Sequence, residues 1–299
     1  MGGITGASSG VVFGFLIPAY AIMALGPQRA TWWFVAFVVM TVVMVAADPL
    51  VRDIVGPQPY ERQLVGLALN AILPLTIIFL LLRYTDLRRR HAEARADELL
   101  TNAIPKTIAA RLRRGESRIA ESYPETTVLF ADIVGFTPWA QRTDPARVVA
   151  LLDALFTSFD ELAAVHGVEK IKTIGDSYMA AAGAPEPRDD HALAAFRFAG
   201  QMLDAAAEWR QSNDIALELR IGLASGSVVA GVIGQRRILF DLWGDTVNIA
   251  ARMESSGVAG RVQVAASTWQ RLPDRVRFEH REIEVKGLGR MATYLWDGP

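Results

Sequence analysis

Phe130-Ala131-Asp132-Ile133-Val134-Gly135-Phe136-Thr137 sets one carboxylate at the end of a continuous apolar run. The run leading into it, Thr127-Val128-Leu129-Phe130-Ala131, is rich in β-branched and aromatic residues and predicts a buried strand. Gly135 then permits a sharp turn. A charge at the lip of a buried strand is costly unless something pairs with it. A divalent cation is the natural partner for bare carboxylate oxygens there. A second acid stands in a similar setting, Asp176 in Lys172-Thr173-Ile174-Gly175-Asp176-Ser177-Tyr178-Met179. Two strand-end carboxylates point to a two-metal phosphoryl-transfer site.

Outward from these two stretches, strand and helix patterns alternate from Glu121 onward. Strands are predicted at 126–133, 168–174 and 178–182, the last two joined by a hairpin at Gly175-Asp176. Helical periodicity runs over 145–166 through Val148, Leu151, Leu152, Leu155, Phe159 and Leu162, and again over 190–209. Segment 217–232 is largely apolar but holds Gly222, Gly226 and Gly231, which predicts strands with a bend. A helix follows at 246–255, with Gly244-Asp245-Thr246 supplying capping chemistry. Strands at 261–265, 276–285 and 292–296 complete the order. This order fits an α+β sandwich, a mostly antiparallel sheet with helices packed on it.

The N-terminal third is different in kind. The chain has 299 residues, 51% of them hydrophobic, and a mean hydropathy of +0.22. The apolar excess lies at one end, and no charged side chain precedes Arg29. Three uncharged stretches, 10–26, 31–47 and 63–82, are long enough or nearly so to cross a bilayer. Trp32 and Trp33 at the edge of the second fit an interfacial aromatic belt. The basic cluster Arg83, Arg88-Arg89-Arg90 and Arg95 predicts a cytoplasmic location for everything that follows. The expected address is the plasma membrane, multi-pass, with the N-terminus outside. Segment 83–102 then continues the third helix as an exposed charged rod, because it holds strong helix formers and neither Gly nor Pro. Pro105 ends or kinks that helix, and Ile104, Ile108, Ala109 and Leu112 give a short amphipathic turn closed by Gly115. The predicted organisation is a three-helix membrane region at 1–82, a signalling helix at 83–120 and a catalytic domain at 121–299.

Composition excludes several classes. Cys is absent, so disulfides, thiolate catalysis and Cys-based zinc sites are ruled out. A net charge of −1 gives no support for nucleic-acid binding.

Further motifs narrow the chemistry. Asn248 and Arg252 stand four apart in Thr246-Val247-Asn248-Ile249-Ala250-Ala251-Arg252-Met253, which places both on one helix face. With Phe240-Asp241-Leu242-Trp243-Gly244 and the two aspartate motifs, they make the sequence from about Arg83 onward resemble a class III adenylyl cyclase with its signalling helix. The membrane part is similar to half of the six-helix anchor of mycobacterial-type membrane cyclases. The resemblance implies a ferredoxin-like, palm-type catalytic domain. It implies that Asp132, Asp176 and the backbone carbonyl of Ile133 hold two divalent cations, Mg²⁺ or Mn²⁺. Lys172 and Asp241 match the pair that reads the base. Adenine offers an acceptor at N1 and a donor at its 6-amino group, and a Lys donor with an Asp acceptor selects it; guanine reverses the pattern. Asn248 and Arg252 match the transition-state pair, Asn orienting the ribose and Arg countering charge on the α-phosphate. Lys286 in Val285-Lys286-Gly287 matches a terminal-phosphate contact, and Arg236, with Arg237 beside it, is a second candidate for that task.

In this family the active site lies between two catalytic domains, one giving the aspartates and the other the base pair, Asn and Arg. One chain here carries both sets, so the resemblance implies a homodimer with two equivalent composite sites. The expected activity is conversion of ATP to 3′,5′-cyclic AMP and pyrophosphate. The competing readings are a guanylyl cyclase and a catalytically silent membrane receptor or dimerisation module, with an unknown membrane or extracellular ligand as a further partner.

Overall fold

The computed structural model describes residues 20–21, 27–55, 59–116, 118–213, 215, 218–234, 238–274, 276–285 and 289–298. The chain divides into two compact units, Met1–Glu98 and Leu99–Pro299. In the first, helix α1 spans Pro27–Val55. Helix α2 begins there at Tyr60 and runs to Ala103, with Pro74 inside it. The expected stretch 31–47 falls in α1 and 63–82 in α2, whereas 10–26 lies outside the described residues apart from Tyr20 and Ala21. Among the described residues no helix is long and apolar enough to cross a membrane. The charged rod does continue α2. Its exposed surface carries the i,i+4 pairs Arg90–Asp86 at 2.9 Å and Arg89–Glu93 at 2.7 Å, each a small helix-stabilising increment.

The second unit opens with helix α3, Lys106–Arg113, capped by Pro105. Gly115, at φ 87°, donates its N–H to the Leu112 carbonyl and closes the turn. The order continues β1 Ala120–Val134, α4 Phe136–Ala140, α5 Pro145–His166, β2 Glu169–Ile174, β3 Ser177–Ala182, α6 His191–Asn213 and β4 Glu218–Ile233. It ends with β5 Leu239–Trp243, α7 Asp245–Ser255, β6 Val262–Ala265, α8 Ala266–Trp269, β7 Glu279–Val285 and β8 Gly289–Trp296. The eight strands form one sheet in the order β2-β3-β1-β4-β6-β8-β7, with β5 pairing to β4. All pairings are antiparallel except β4 with β6.

Alternation along the central strands fills both faces. Leu129, Ala131, Ile133, Ile221 and Leu223 point to a core built with Leu155 and Phe159 of α5 and Phe198 and Met202 of α6. Val128, Phe130, Met179 and Ala224 point the other way, to Ala250 and Met253 of α7 and Phe240 and Leu242 of β5. Ile104, Ile108 and Ala109 are buried in this second core. Helix α3 and Ile104 before it are therefore packed within the second unit, and Arg111 ties α3 to Glu116 and Glu121, both at 2.7 Å.

Two sequence expectations need correction. Segment 217–232 is not broken: β4 is a single strand, and Gly222 is needed because a Cβ there would run into the backbone of Glu254. The start of α7 is not capped by a side chain. Gly244 is the N-cap, and Thr246 donates its hydroxyl to the Ser227 carbonyl at 2.8 Å, tying α7 to β4 instead.

Candidate active site

Asp132 is delivered by β1, two residues from its end, half-buried. Gly135 follows at φ 79° and turns the chain into α4. Asp176 comes from the β2–β3 turn. Since Ala131 pairs with Tyr178, this turn lies one step past Asp132 on the same sheet end. Burial pushes the Asp132 carboxyl above the usual carboxylate range, the Asp176 charge adds to the rise, and Arg220 opposes it.

The hairpin that carries Asp176 is pinned from below. Tyr178 is fully buried, and its hydroxyl donates to Asp160 of α5 at 2.8 Å. Lys170 donates to the other oxygen of the same carboxylate at 2.7 Å. Phe159 packs edge-on against the Tyr178 ring at 5.6 Å between centroids.

On the neighbouring strand edge, Lys172 of β2 donates to Asp241 of β5 at 2.5 Å. Asp241 also accepts the Leu242 N–H at 2.9 Å through its other oxygen, which fixes the carboxylate plane. The Asp241 side chain is 16% exposed and that of Lys172 is 29% exposed, so the pair is shielded enough for its charges to interact strongly.

Helix α7 buries Thr246, Ala250, Met253 and Glu254. Asn248 and Arg252 lie on its exposed side. Ile133, expected to lend its backbone carbonyl, is buried within β1 next to Asp132. Lys286 and Arg236 lie outside the described residues.

Among the described residues no group of three or more His, Cys, Asp or Glu side chains is placed to hold a metal ion. Asp132 and Asp176 give two neighbouring carboxylates, and the Asp176 charge adds to the rise that burial imposes on Asp132. Hard oxygen donors under like-charge repulsion fit Mg²⁺ or Mn²⁺, ions that take few protein ligands and fill the rest with water and phosphate.

Residues 119–298 match the family described as the adenylate and guanylate cyclase catalytic domain. The chain belongs to the class III nucleotide cyclases. It is 40% identical over 303 residues to an adenylate cyclase of Mycobacterium tuberculosis H37Rv, covering 98% of this chain and 68% of that one. The guanylate cyclase domain of RhGC from Catenaria anguillulae, solved in complex with GTP, superposes with a TM-score of 0.57 at 39% identity, over 58% of this chain and 97% of that one. The adenylyl cyclase CyaB from P. aeruginosa superposes with a TM-score of 0.57 at 25% identity, over 60% and 97%. The palm-type α+β catalytic domain is thereby established for this cyclase.

Two neighbours of the cyclase site were not read from the sequence. Arg220 of β4 stands directly opposite Asp132 in the strand register, and Glu254 of α7 holds it. A signal existed for the first: Arg220 is the one charge in the apolar run Leu219-Arg220-Ile221-Gly222-Leu223.

Proposed function

We propose that this adenylate cyclase converts ATP to 3′,5′-cyclic AMP and pyrophosphate at two equivalent sites, each shared between the catalytic domains of two copies. The observation that carries the adenine preference is the Lys172–Asp241 pair. It presents one donor and one acceptor side by side, the complement of the adenine edge. A guanine would meet donor with donor and leave buried polar groups unsatisfied.

In this reading the chain's residues divide the work. Lys172 and Asp241 hold the base. Asn248 orients the ribose so that its 3′-oxygen lines up with the α-phosphorus. That oxygen forms the new bond to phosphorus, the bond to the bridging oxygen breaks, and pyrophosphate leaves with that electron pair. The 3′-hydroxyl proton passes to solvent. Arg252 places its guanidinium against the charge that grows on the α-phosphate oxygens. Lys286, with Arg236, contacts the terminal phosphate. Two divalent cations held by Asp132, Asp176 and the Ile133 carbonyl would supply acidification of the 3′-hydroxyl and charge neutralisation on the triphosphate.

Two features support shared sites. Asn248 and Arg252 make no side-chain hydrogen bond or ion pair with any described residue, although they face outward from a well-packed helix. The β4–β5 ribbon beside them exposes Val229, Ile233, Leu239 and Trp243, an apolar strip suited to a second copy.

A membrane anchor is part of the same proposal. Its support is the three uncharged sequence stretches and the outward-facing apolar side chains of α1 and α2, such as Trp32 at 76%, Leu75 at 65% and Leu82 at 64% exposure. The basic cluster from Arg83 supports a cytoplasmic catalytic domain.

The test of the activity is nucleotide turnover by the chain with ATP or GTP and Mn²⁺ or Mg²⁺, with Asp132→Ala as control. Cyclic AMP from ATP, lost in the control, is the expected result. Cyclic GMP from GTP as the main product would overturn the reading of Lys172 and Asp241. No product from either nucleotide would return the silent-receptor reading.

A further inference from the structure

Gln263 of β6 is wholly buried, yet it is polar, and it lies against the last turn of α7. Its place comes from the sheet. Gln263 pairs with Gly222 of the neighbouring β4, where the missing side chain lets the backbone of Met253 and Glu254 come down onto the strand. Gly222 makes the room, and Gln263 supplies the bonds. Nε2 donates to the Met253 carbonyl at 3.1 Å and to the Ser256 hydroxyl at 2.9 Å. Oε1 accepts from Arg281 of β7 at 3.0 Å. Ser256 passes the contact on, donating its hydroxyl to the Arg252 carbonyl at 2.5 Å. A carbonyl only accepts and a guanidinium only donates, so the amide has one workable orientation, with its N–H groups toward α7.

These bonds land on the turn that carries Arg252. The last carbonyls of a helix have no partner inside it, and helix ends fray. A left-handed glycine is a common remedy. Here the C-cap is Ser256 at φ −98°, and Gly257 after it is not left-handed. Gln263 takes the Met253 carbonyl and, through Ser256, reaches that of Arg252, so the turn is tied to the sheet. The other end of α7 is tied separately, by Thr246 to the Ser227 carbonyl at 2.8 Å. Asn248 lies near that end, and Arg252 near the end that Gln263 holds.

We infer that Gln263 is a positioning residue for Arg252, fixing the last turn of α7 so that the guanidinium meets the α-phosphate where its charge grows. This deepens the functional reading above and rests on Arg252 serving the transition state. Gln263 touches no reacting atom and acts through backbone alone. A catalytic group displaced by about 1 Å can cost on the order of 100-fold in rate. The base pair Lys172–Asp241 and the Asn248 end of the helix stay in place, so binding of ATP is not disturbed. Loss of Gln263 therefore falls on kcat and spares KM.

The experiment is steady-state formation of cyclic AMP from ATP and Mn²⁺ by the full chain, with a thermal melt for each variant. The variants are Gln263→Leu, Gln263→Glu, Ser256→Ala, Arg252→Ala and Gln263→Leu with Arg252→Ala. Gln263→Leu removes all three bonds, and Gln263→Glu keeps the shape but sets a carboxylate oxygen against the Met253 carbonyl. Both are expected to lower kcat by about tenfold or more, with KM for ATP within about twofold. In the Arg252→Ala chain there is no guanidinium left to misplace, so adding Gln263→Leu is expected to change kcat by less than about twofold. Ser256→Ala cuts only the relay to the Arg252 carbonyl, from a half-buried position. It is expected to lower kcat about threefold with an unchanged melt, which covers the case in which the Gln263 variants do not fold.

A lower melting temperature in folded Gln263→Leu with kcat intact would overturn the proposal, because the amide would then serve stability alone. So would a loss of kcat that is as large in the Arg252→Ala chain as in the parent, or an unchanged kcat in Ser256→Ala. Arg252→Ala by itself separates this idea from the one beneath it. If that variant keeps the parent kcat, the assignment of Arg252 to the transition state fails and this proposal falls with it, whereas additive losses remove the role of Gln263 and leave Arg252 where it stands.

Discussion

In the proposed mechanism Arg252 is the residue on which the chemistry leans most and the fold least. It is exposed and anchors nothing in α7 beyond its own backbone. Arg252→Ala is therefore expected to lower kcat by about 10²–10³-fold with little change in KM or thermal stability. Steady-state kinetics with a parallel melt would show this, and a matching loss of stability would assign Arg252 to structure. Glu169 is the opposite case. Burial, with help from Glu186, pushes its carboxyl from 4.5 up to about 7, against the pull of Lys106. A carboxyl raised on folding holds its proton more tightly in the folded chain, so its protonated form favours the fold. That contribution is fully present below pH 4.5, fades as pH rises and is gone above about 7. Discounted for partial exposure, it is on the order of 1–2 kcal/mol. Glu169→Gln should flatten this part of the stability–pH curve and raise the melting temperature at pH 8. An unchanged curve would refute the assignment. At this scale the sequence was most readable where a residue type is rare in its setting. Asp132 at the end of an apolar run announces itself, whereas Glu169 at the start of an ordinary strand carries no such mark.

At the scale of elements, local patterns located helices better than strand ends. The periodicity of 145–166 coincides with α5, whose ends are marked by Asp144, accepting from Ala146 and Arg147, and by Gly167 at φ 61°. Strand β1 is longer than the expected 126–133, because it continues back through Pro124 and Glu125 to Ala120. Pro124 has no N–H to give, and the ladder with β4 slips there, between Tyr123 and Thr126. A proline reads as a stop in sequence, yet a bulge absorbs it. The same holds for Gly222, which reads as a weak point and is instead the place where α7 touches the sheet. Gly222→Ala is expected to cost about 2–3 kcal/mol of unfolding free energy, measured by denaturant titration, because helix backbone would have to move. A neutral substitution would mean that α7 shifts freely, and the positions of Asn248 and Glu254 would then not be fixed by β4. Why the glycine is needed was not legible, since the contact joins residues 32 positions apart in chain order, Gly222 and Glu254.

For the whole molecule, the alternation of strand and helix gave the α+β class directly, and the matched motifs gave the cyclase. The order of strands in the sheet, with β5 branching from β4, did not follow from any local pattern, because it is decided by which faces the helices must cover. The end of the predicted signalling segment also reads differently in three dimensions. Ile108 and Ala109 are wholly buried in the catalytic core, so α3 belongs to the catalytic unit rather than hanging from it as a loose tether.

The central claim is that each site draws its aspartates from one copy and Asn248 with Arg252 from the other. The most direct test mixes full-length Asp132→Ala and Asn248→Ala chains, each nearly inactive alone, and measures cyclic AMP formed from ATP. Random pairing makes half the dimers mixed, and each mixed dimer holds one intact site, so the account predicts about a quarter of the parent activity. Activity in the mixture no higher than in the separate chains, with exchange of subunits demonstrated, would contradict it.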